Sequence, residues 1–221
     1  THENGMPEFG ASAILEDHLG NLWFGSNGGG LCKFRDGKFT IFTTRDGLSD
    51  NRARSLHEDA DGVLWIGTEH GLNRLKGGRF FAFTTKQGLF DNLVNHVLED
   101  GLGNFWISCN RGIYRVSRKE LNEVADAAEL NAKSKVQSPK AKVSAFTLHC
   151  AAYGEADGML SSETKGETQP AGWRGQDGQL WFPTTKGLVV IVPKAIQDNK
   201  IPPPMVIEQV LVNDEIIFGD G

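Results

Sequence analysis

Three adjacent carboxylate pairs, Glu16-Asp17, Glu58-Asp59 and Glu99-Asp100, are the residues of this chain most open to a chemical reading. Paired carboxylates cleave glycosidic bonds when they face each other across about 5–10 Å of one cleft. Here each pair precedes a glycine-containing turn, and a Trp follows six residues after each Asp (Trp23, Trp65, Trp106). A spacing that recurs from unit to unit spreads the carboxylates around the molecule instead of gathering them. The pairs are therefore read as turn formers, in which Asp accepts hydrogen bonds from the turn backbone and Gly supplies a positive φ. The histidines (His2, His18, His57, His70, His96, His149) show neither His-x₃-His nor His-Glu-x-x-His spacing, and Cys32, Cys109 and Cys150 have no metal-motif spacing. Asn27-Gly28-Gly29-Gly30 lacks the Gly-Lys-Ser/Thr ending of a phosphate loop, and no Gly-x-Ser-x-Gly elbow occurs. The expectation is a chain that is not an enzyme, with no cofactor and no metal.

The elements that carry these residues repeat. Gly-Asn-Leu-Trp23, Gly-Val-Leu-Trp65, Gly-Asn-Phe-Trp106 and Gly-Gln-Leu-Trp181 are spaced by 42, 41 and 75 residues, and each is followed by Gly-Leu or Gly-Ile. The first two intervals suit a repeat of four short strands, and the third is one period plus an insertion. In the second repeat, Ala53–Glu58, a turn at 59–62 and Val63–Thr68 form a hairpin. Gly71–Leu75 alternates apolar and polar residues, and Phe80–Thr84 returns the chain after Lys76-Gly77-Gly78-Arg79. One four-stranded sheet cannot hide both faces, so the copies must stack. The fold class expected is all-β: a partial β-propeller of about four blades at 11–43, 53–85, 94–156 and 171–193, with one helical insertion.

That insertion spans 117–142. Ser117-Arg118-Lys119-Glu120 is a capping box, and Leu121, Val124, Ala125 and Ala128 follow at helical spacing, which predicts a helix of three turns and then a lysine-rich loop over 131–142. It is read as a decorated hairpin loop, with a docking arm as the other reading. The fourth repeat has no fourth strand, so something else must cover that edge. A proline-rich linker at 194–204 leads into 205–221, which reads as the beginning of a β-sandwich domain. The three cysteines are expected to be free thiols. Cys109 and Cys150 fall two strands apart, about 9–10 Å, which exceeds disulfide reach.

Composition narrows the function classes. The chain has 221 residues, 39% hydrophobic and 23% charged, with a formal net charge of −5. That balance does not fit a nucleic-acid partner or a general binder of anionic membranes. No apolar run is long enough to span a bilayer. Thr1-His2-Glu3-Asn4-Gly5-Met6 matches the connectors Thr43–Leu48 and Thr84–Leu89, so the sequence is expected to start at a blade junction.

The recurring series Glu-Asp, Gly-x-Leu-Trp-Ile-Gly-Thr, Gly-Leu, Phe-x-x-Phe-Thr and Gly-Leu-x-x-Asn resembles the two-component regulator propeller repeat of bacterial sensor regions. The likeness covers most of residues 1–193; the fourth copy departs from it with Arg174-Gly175 in place of Glu-Asp. Tyr153–Met159, Gln169–Trp173, Trp181–Leu188 and Pro202-Pro203-Pro204 resemble the last repeats of that family and the entry to its triple-tyrosine β-sandwich. The resemblance implies a periplasmic signal-input module. It would be joined through segments beyond this sequence to a membrane helix and to a histidine kinase, diguanylate cyclase or hybrid regulator.

Propellers read ligands on the face made by the loops between second and third strands and by the interblade connectors. The candidate ligand-binding residues on that face are Asn27, Arg52, Arg54, Glu69, His70, Asn95, His96, Arg111 and Lys186, while Trp23, Trp65, Trp106 and Trp181 are structural. These polar types suit a small molecule or an oligosaccharide. Two other readings stand beside the sensor: a propeller that only spaces domains or binds protein, and a propeller-fold lyase or glycosidase. An open arc would also expose two apolar blade faces, so a homodimer is expected, with two chains completing a larger ring.

Overall fold

The structure, a computed structural model, describes residues 10–133, 147–166 and 170–196, and the backbone alone for 132–133, 210–212 and 215–218. Three four-stranded antiparallel sheets and one three-stranded sheet follow each other along the chain. Blade one holds β1 (Ala11–Glu16), β2 (Leu22–Ser26), β3 (Leu31–Arg35) and β4 (Lys38–Phe42). Blade two holds β5 (Ala53–Glu58), β6 (Leu64–Thr68), β7 (Gly71–Lys76) and β8 (Arg79–Phe83). Blade three holds β9 (His96–Glu99), β10 (Asn104–Cys109), β11 (Gly112–Ser117), the helix α1 (Arg118–Lys133) and β12 (Cys150–Tyr153). Among the described residues blade four holds β13 (Trp173–Arg174), β14 (Leu180–Thr184) and β15 (Gly187–Ile191). A separate hairpin pairs β16 (Val210–Val212) with β17 (Glu215–Phe218). Most of the segment expected to open a β-sandwich, and the loop expected after the helix, lie outside the described residues.

The reason for the Asp-to-Trp spacing is a hydrogen bond. Asp17, Asp59 and Asp100 each accept from the indole Nε1–H of Trp23, Trp65 and Trp106, at 2.8, 2.9 and 3.0 Å. The same carboxylates hold the turn, accepting from the backbone N–H of Asn21, Val63 and Asn104 at 2.8, 3.0 and 3.1 Å. Burial pushes the carboxyl of Asp100 up, but hydrogen bonds from Asn104, Trp106 and Leu102 together hold it below the ordinary range, and Asp17 behaves likewise. Each indole so fixed lies against an aromatic ring of its own fourth strand: Trp23 on Phe42, Trp65 on Phe83 and Trp106 on Tyr153, with centroids 5.9, 6.1 and 5.3 Å apart.

Three apolar cores fill the spaces between blades. Trp23 shares the first with Leu64 and Ile66, Trp65 the second with Phe105 and Ile107, and Trp106 the third with Leu180 and Phe182. The Gly of each Gly-Leu or Gly-Ile step has a positional reason. Gly71 and Gly112 take φ of 142° and 133°, and a Cβ on either would collide with the carbonyl of Phe83 or Tyr153 on the fourth strand. In blade four, where no fourth strand occurs among the described residues, Gly187 keeps φ at 134° with none of them beside it. The Asn of Gly-Leu-x-x-Asn closes the connector, since Asn51 and Asn92 accept from the N–H of Thr44 and Thr85 at 2.9 and 2.8 Å.

The helix differs from expectation in two ways. It runs 16 residues, longer than three turns, and its buried side packs on blades two and three, with Asp126 held midway along it. Leu121 and Ala125 are fully buried in the second core, and Asp126 accepts from the buried Arg74 at 2.7 Å. Ser117 Oγ caps the N–H of Glu120, while the Glu120 carboxylate reaches forward to His149. All three cysteines are free. Burial pushes the Cys109 thiol up to about 12 and the Cys150 thiol up to about 11, so neither is poised as a nucleophile.

Replacing Asp59 by Ala leaves the Trp65 indole and the N–H groups of Asp61 and Val63 without their acceptor. This change is expected to cost about 2–3 kcal/mol in urea unfolding, whereas Asp177→Ala in the open turn of blade four should stay within about 0.5 kcal/mol. Equal losses at the two positions would contradict the role given to the buried carboxylate.

Candidate functional site

The loops between second and third strands of blades one and two, and the connector between these blades, enclose a polar cleft of about 490 Å³. Asn27, Arg52, Arg54 and Glu69 line it together with Ser12 and Gly166. Glu69 is the hub: one carboxylate oxygen pairs with Arg52 and the other with Arg54, each at 2.5 Å. Arg52 also donates from Nε to Asp50 at 3.3 Å, and Asp50 faces Nδ1 of His70 at 2.7 Å. Burial raises the Asp50 carboxyl, yet the backbone and side chain of Arg52 and the ring of His70 hold it below its usual value. The chain His70–Asp50–Arg52–Glu69–Arg54 thus presents fixed donors and acceptors along one wall.

Local backbone explains how these side chains arrive. β5 carries a register shift between Ala53 and Ser55, and β1 carries one at the matching place between Ala11 and Ala13. A bulge adds one residue and re-aims it. Arg54 and Ser12 are those residues, and both line the cleft. Ser12 donates to the carbonyl of Ala53 at 2.5 Å, tying the two bulges together. Arg54 and Glu69 are only 22% and 18% exposed, so their pairing is shielded on one side and open to the cleft on the other.

The remaining candidates fall elsewhere. Asn95 is buried and donates to Thr164 and Asn110, stapling the connector before blade four to the end of β10. Arg111 stacks over Phe90 at 4.6 Å and donates to its carbonyl, away from the cleft. Lys186 is exposed in the loop of blade four, its N–H bonded to Thr184 Oγ1 at 3.3 Å. His70 lies beside the cleft wall, joined to Arg52 through Asp50.

His96 belongs to a different cavity. It sits in β9, one of the inner strands β1, β5, β9 and β13, which surround a central channel of about 640 Å³. His57 lines the same channel, and its Nε2 lies 3.2 Å from Glu99. Burial, and then the charge of His57, pulls the His96 pKa down to about 4. Its Nδ1 has no hydrogen-bond partner among the described residues. Among the described residues no group of three or more His, Cys, Asp or Glu is placed to hold a metal ion.

The sequence reading passed over Asp50, Ser12 and Gly166. A signal for Asp50 did exist: it accepts from the N–H two residues on, and Asp91 repeats that bond at the matching position of the next connector. Ser12 and Gly166 carried none, because a bulge and the return of a distant connector leave no period in the sequence.

These features define a repeat-built β-propeller arc with a polar cleft on its loop face. A family profile described as two component regulator propeller matches residues 10–28 and 47–70. Among solved structures, the extracellular domain assigned to the hybrid two component system BT3049 from B. thetaiotaomicron is similar, with a TM-score of 0.64 and 20% identity over 94% of this chain and 26% of that one. The corresponding domain of BT4673 from the same organism has a TM-score of 0.62 and 22% identity over 84% of this chain and 24% of that one. Virginiamycin B lyase from Staphylococcus aureus follows with a TM-score of 0.53 and 13% identity, over 86% of this chain and 59% of that one. The chain therefore spans about a quarter of the two-component domains. At such identities the likeness is one of fold. No curated protein matches the chain.

His96 carries a pH prediction. It takes a proton near pH 4 in the fold and near 6.5 when unfolded, so its contribution is intact above pH 6.5 and is lost as pH falls through 4, a change on the order of 3 kcal/mol. His96→Gln is expected to flatten the pH dependence of urea unfolding between pH 6.5 and 4; an unchanged slope would contradict the assignment.

Proposed function

We propose that this chain is the ligand-sensing propeller segment of an extracytoplasmic, periplasmic input region in a bacterial two-component signalling protein. On this reading the chain is itself non-catalytic. The observation that carries the proposal is the contrast between framework and cleft. The repeats keep the Asp–Trp turn and the closing Asn, yet the loops of blades one and two place Arg52, Arg54 and Glu69 around one cleft. The two-component repeat match and the extracellular origin of the similar folds support the sensor reading. No helix among the described residues is long and apolar enough to cross a membrane, so on this reading anchoring falls to other parts of the protein.

The ligand class that fits best is an oligosaccharide or another polar small molecule. A guanidinium–carboxylate–guanidinium row offers planar donors and acceptors in a partly desolvated wall, where hydrogen bonds discriminate hydroxyl patterns. In the intact receptor a bound ligand shifts the signalling equilibrium only by the difference in its affinity for the two states. The mechanism proposed is that occupancy of the cleft favours one relative placement of two sensors.

Thermal-shift measurements with neutral and uronate-containing oligosaccharides are expected to find a class that raises Tm. Arg54→Ala should weaken the affinity for that class at least about tenfold, equivalent to 1.4 kcal/mol. Arg111→Ala, outside the cleft, should leave it unchanged. A shift indifferent to Arg54 and Glu69 would remove the cleft from the account.

A further inference from the structure

Glu69 stands where the carboxylate of a ligand would stand. It belongs to the turn Glu69-His70 between β6 and β7, outside the ladder that ends by pairing Thr68 with Gly71. The ladder makes no use of its side chain, yet each carboxylate oxygen is taken by a guanidinium, Arg52 on one and Arg54 on the other. Fork-shaped donors held across both oxygens are how arginines recognise a planar acid. Here the protein supplies both halves of that recognition. Arg52, Arg54 and Glu69 belong to blade two and its connector, and the four strands of blade one stand beside them, so the arrangement is internal to two neighbouring blades.

The cations are held from behind, and the carboxylate is not. Arg54 leaves the bulge of β5, and Arg52 is tied through its N–H and Nε to Asp50, which faces His70. Among the described residues Glu69 pairs with Arg52 and Arg54 and with no other side chain. Rotation of Glu69 into solvent would leave two fixed cations on a cleft of about 490 Å³, a volume that suits a small molecule. Partly buried cations without a counter-charge are costly, so an anion must refill the seat. The other lining groups are uncharged. Ser12 donates its hydroxyl proton to the carbonyl of Ala53, and Ser26 donates to that of Gly30 at 2.8 Å, so each has lone pairs left to accept from a ligand hydroxyl. Guanidiniums for an acid beside acceptors for alcohols describe a hydroxylated carboxylic acid, the chemistry of a sugar acid.

We propose that Glu69 is a built-in occupant of a carboxylate seat, and that a sugar acid binds by displacing it and pairing its own carboxylate with Arg52 and Arg54. This rests on the sensing role proposed for the cleft and narrows its ligand class. The exchange conserves charge, since one carboxylate leaves the row as another enters. A neutral sugar cannot make it without stranding two cations. A simple acid such as acetate lacks the hydroxyl contacts and does not displace Glu69.

Isothermal titration calorimetry at constant ionic strength tests the proposal on the wild-type chain, Glu69→Ala, Glu69→Gln and the double variant Glu69→Ala/Arg54→Ala, with glucuronate, glucose, acetate and sulfate as probes. Far-UV circular dichroism checks that each variant is folded, and Glu69→Gln keeps the side-chain shape if the shorter residue disturbs the turn. Glucuronate is expected to bind the wild type and to bind both single variants at least about tenfold more tightly. Acetate should bind Glu69→Ala and not the wild type, and the double variant should lose both acids. Weaker glucuronate binding without Glu69 would overturn the proposal, as would acetate that fails to bind Glu69→Ala or sulfate that gains as much as acetate. Glucose binding that requires both Arg54 and Glu69 would overturn it too, while leaving the sensing role of the cleft intact.

Discussion

One carboxylate that serves a turn and an indole at once is the constraint on which the other features rest. Asp17, Asp59 and Asp100 close the turn between first and second strands and, six residues on, fix the indole N–H of the Trp. A buried Trp without an acceptor would forfeit a hydrogen bond in a low-dielectric interior, so the Asp decides where the ring can lie. The ring in turn decides what the fourth strand and the next blade must present: an aromatic partner behind it and an apolar pair ahead. Blade four shows the converse. Gly175 stands where the other blades have Asp, Asp177 accepts from the N–H of Gln179 in its exposed turn, and among the described residues no aromatic fourth strand lies behind the partly exposed Trp181.

Because this framework is set by a few positions per repeat, the architecture was legible from the sequence. Period, turn chemistry and strand alternation agreed with one another, and local choices that agree mark a specified fold. The insertion was less legible. Its helix is held by Arg74 of blade two, 52 residues away from Asp126, and no helical pattern encodes a partner at that distance. The capping box was half right, since Glu120 found a partner in His149 across the insertion.

The candidate site was legible in its residue types and less so in its grouping. Asn27, Arg52, Arg54 and Glu69 converge because blades one and two are adjacent and their loops open to the same face. His96 follows Asn95 directly, yet it falls on the channel side, because strand alternation turns neighbours to opposite sides. The bulges that aim Arg54 and Ser12 are backbone irregularities, which composition does not announce. Framework and candidate site are thus divided by position: the turns on one side of each blade repeat, and the loops on the other side vary.

The central claim is that the Asp–Trp hydrogen bond fixes each complete blade and is missing from the fourth. Hydrogen exchange at the indole N–H of the five tryptophans, read by nuclear magnetic resonance, tests it most directly. The account predicts slow exchange at Trp23, Trp65 and Trp106 and fast exchange at Trp173 and Trp181. Protection at Trp181 equal to that of the other three blades, or free exchange at Trp65, would contradict it.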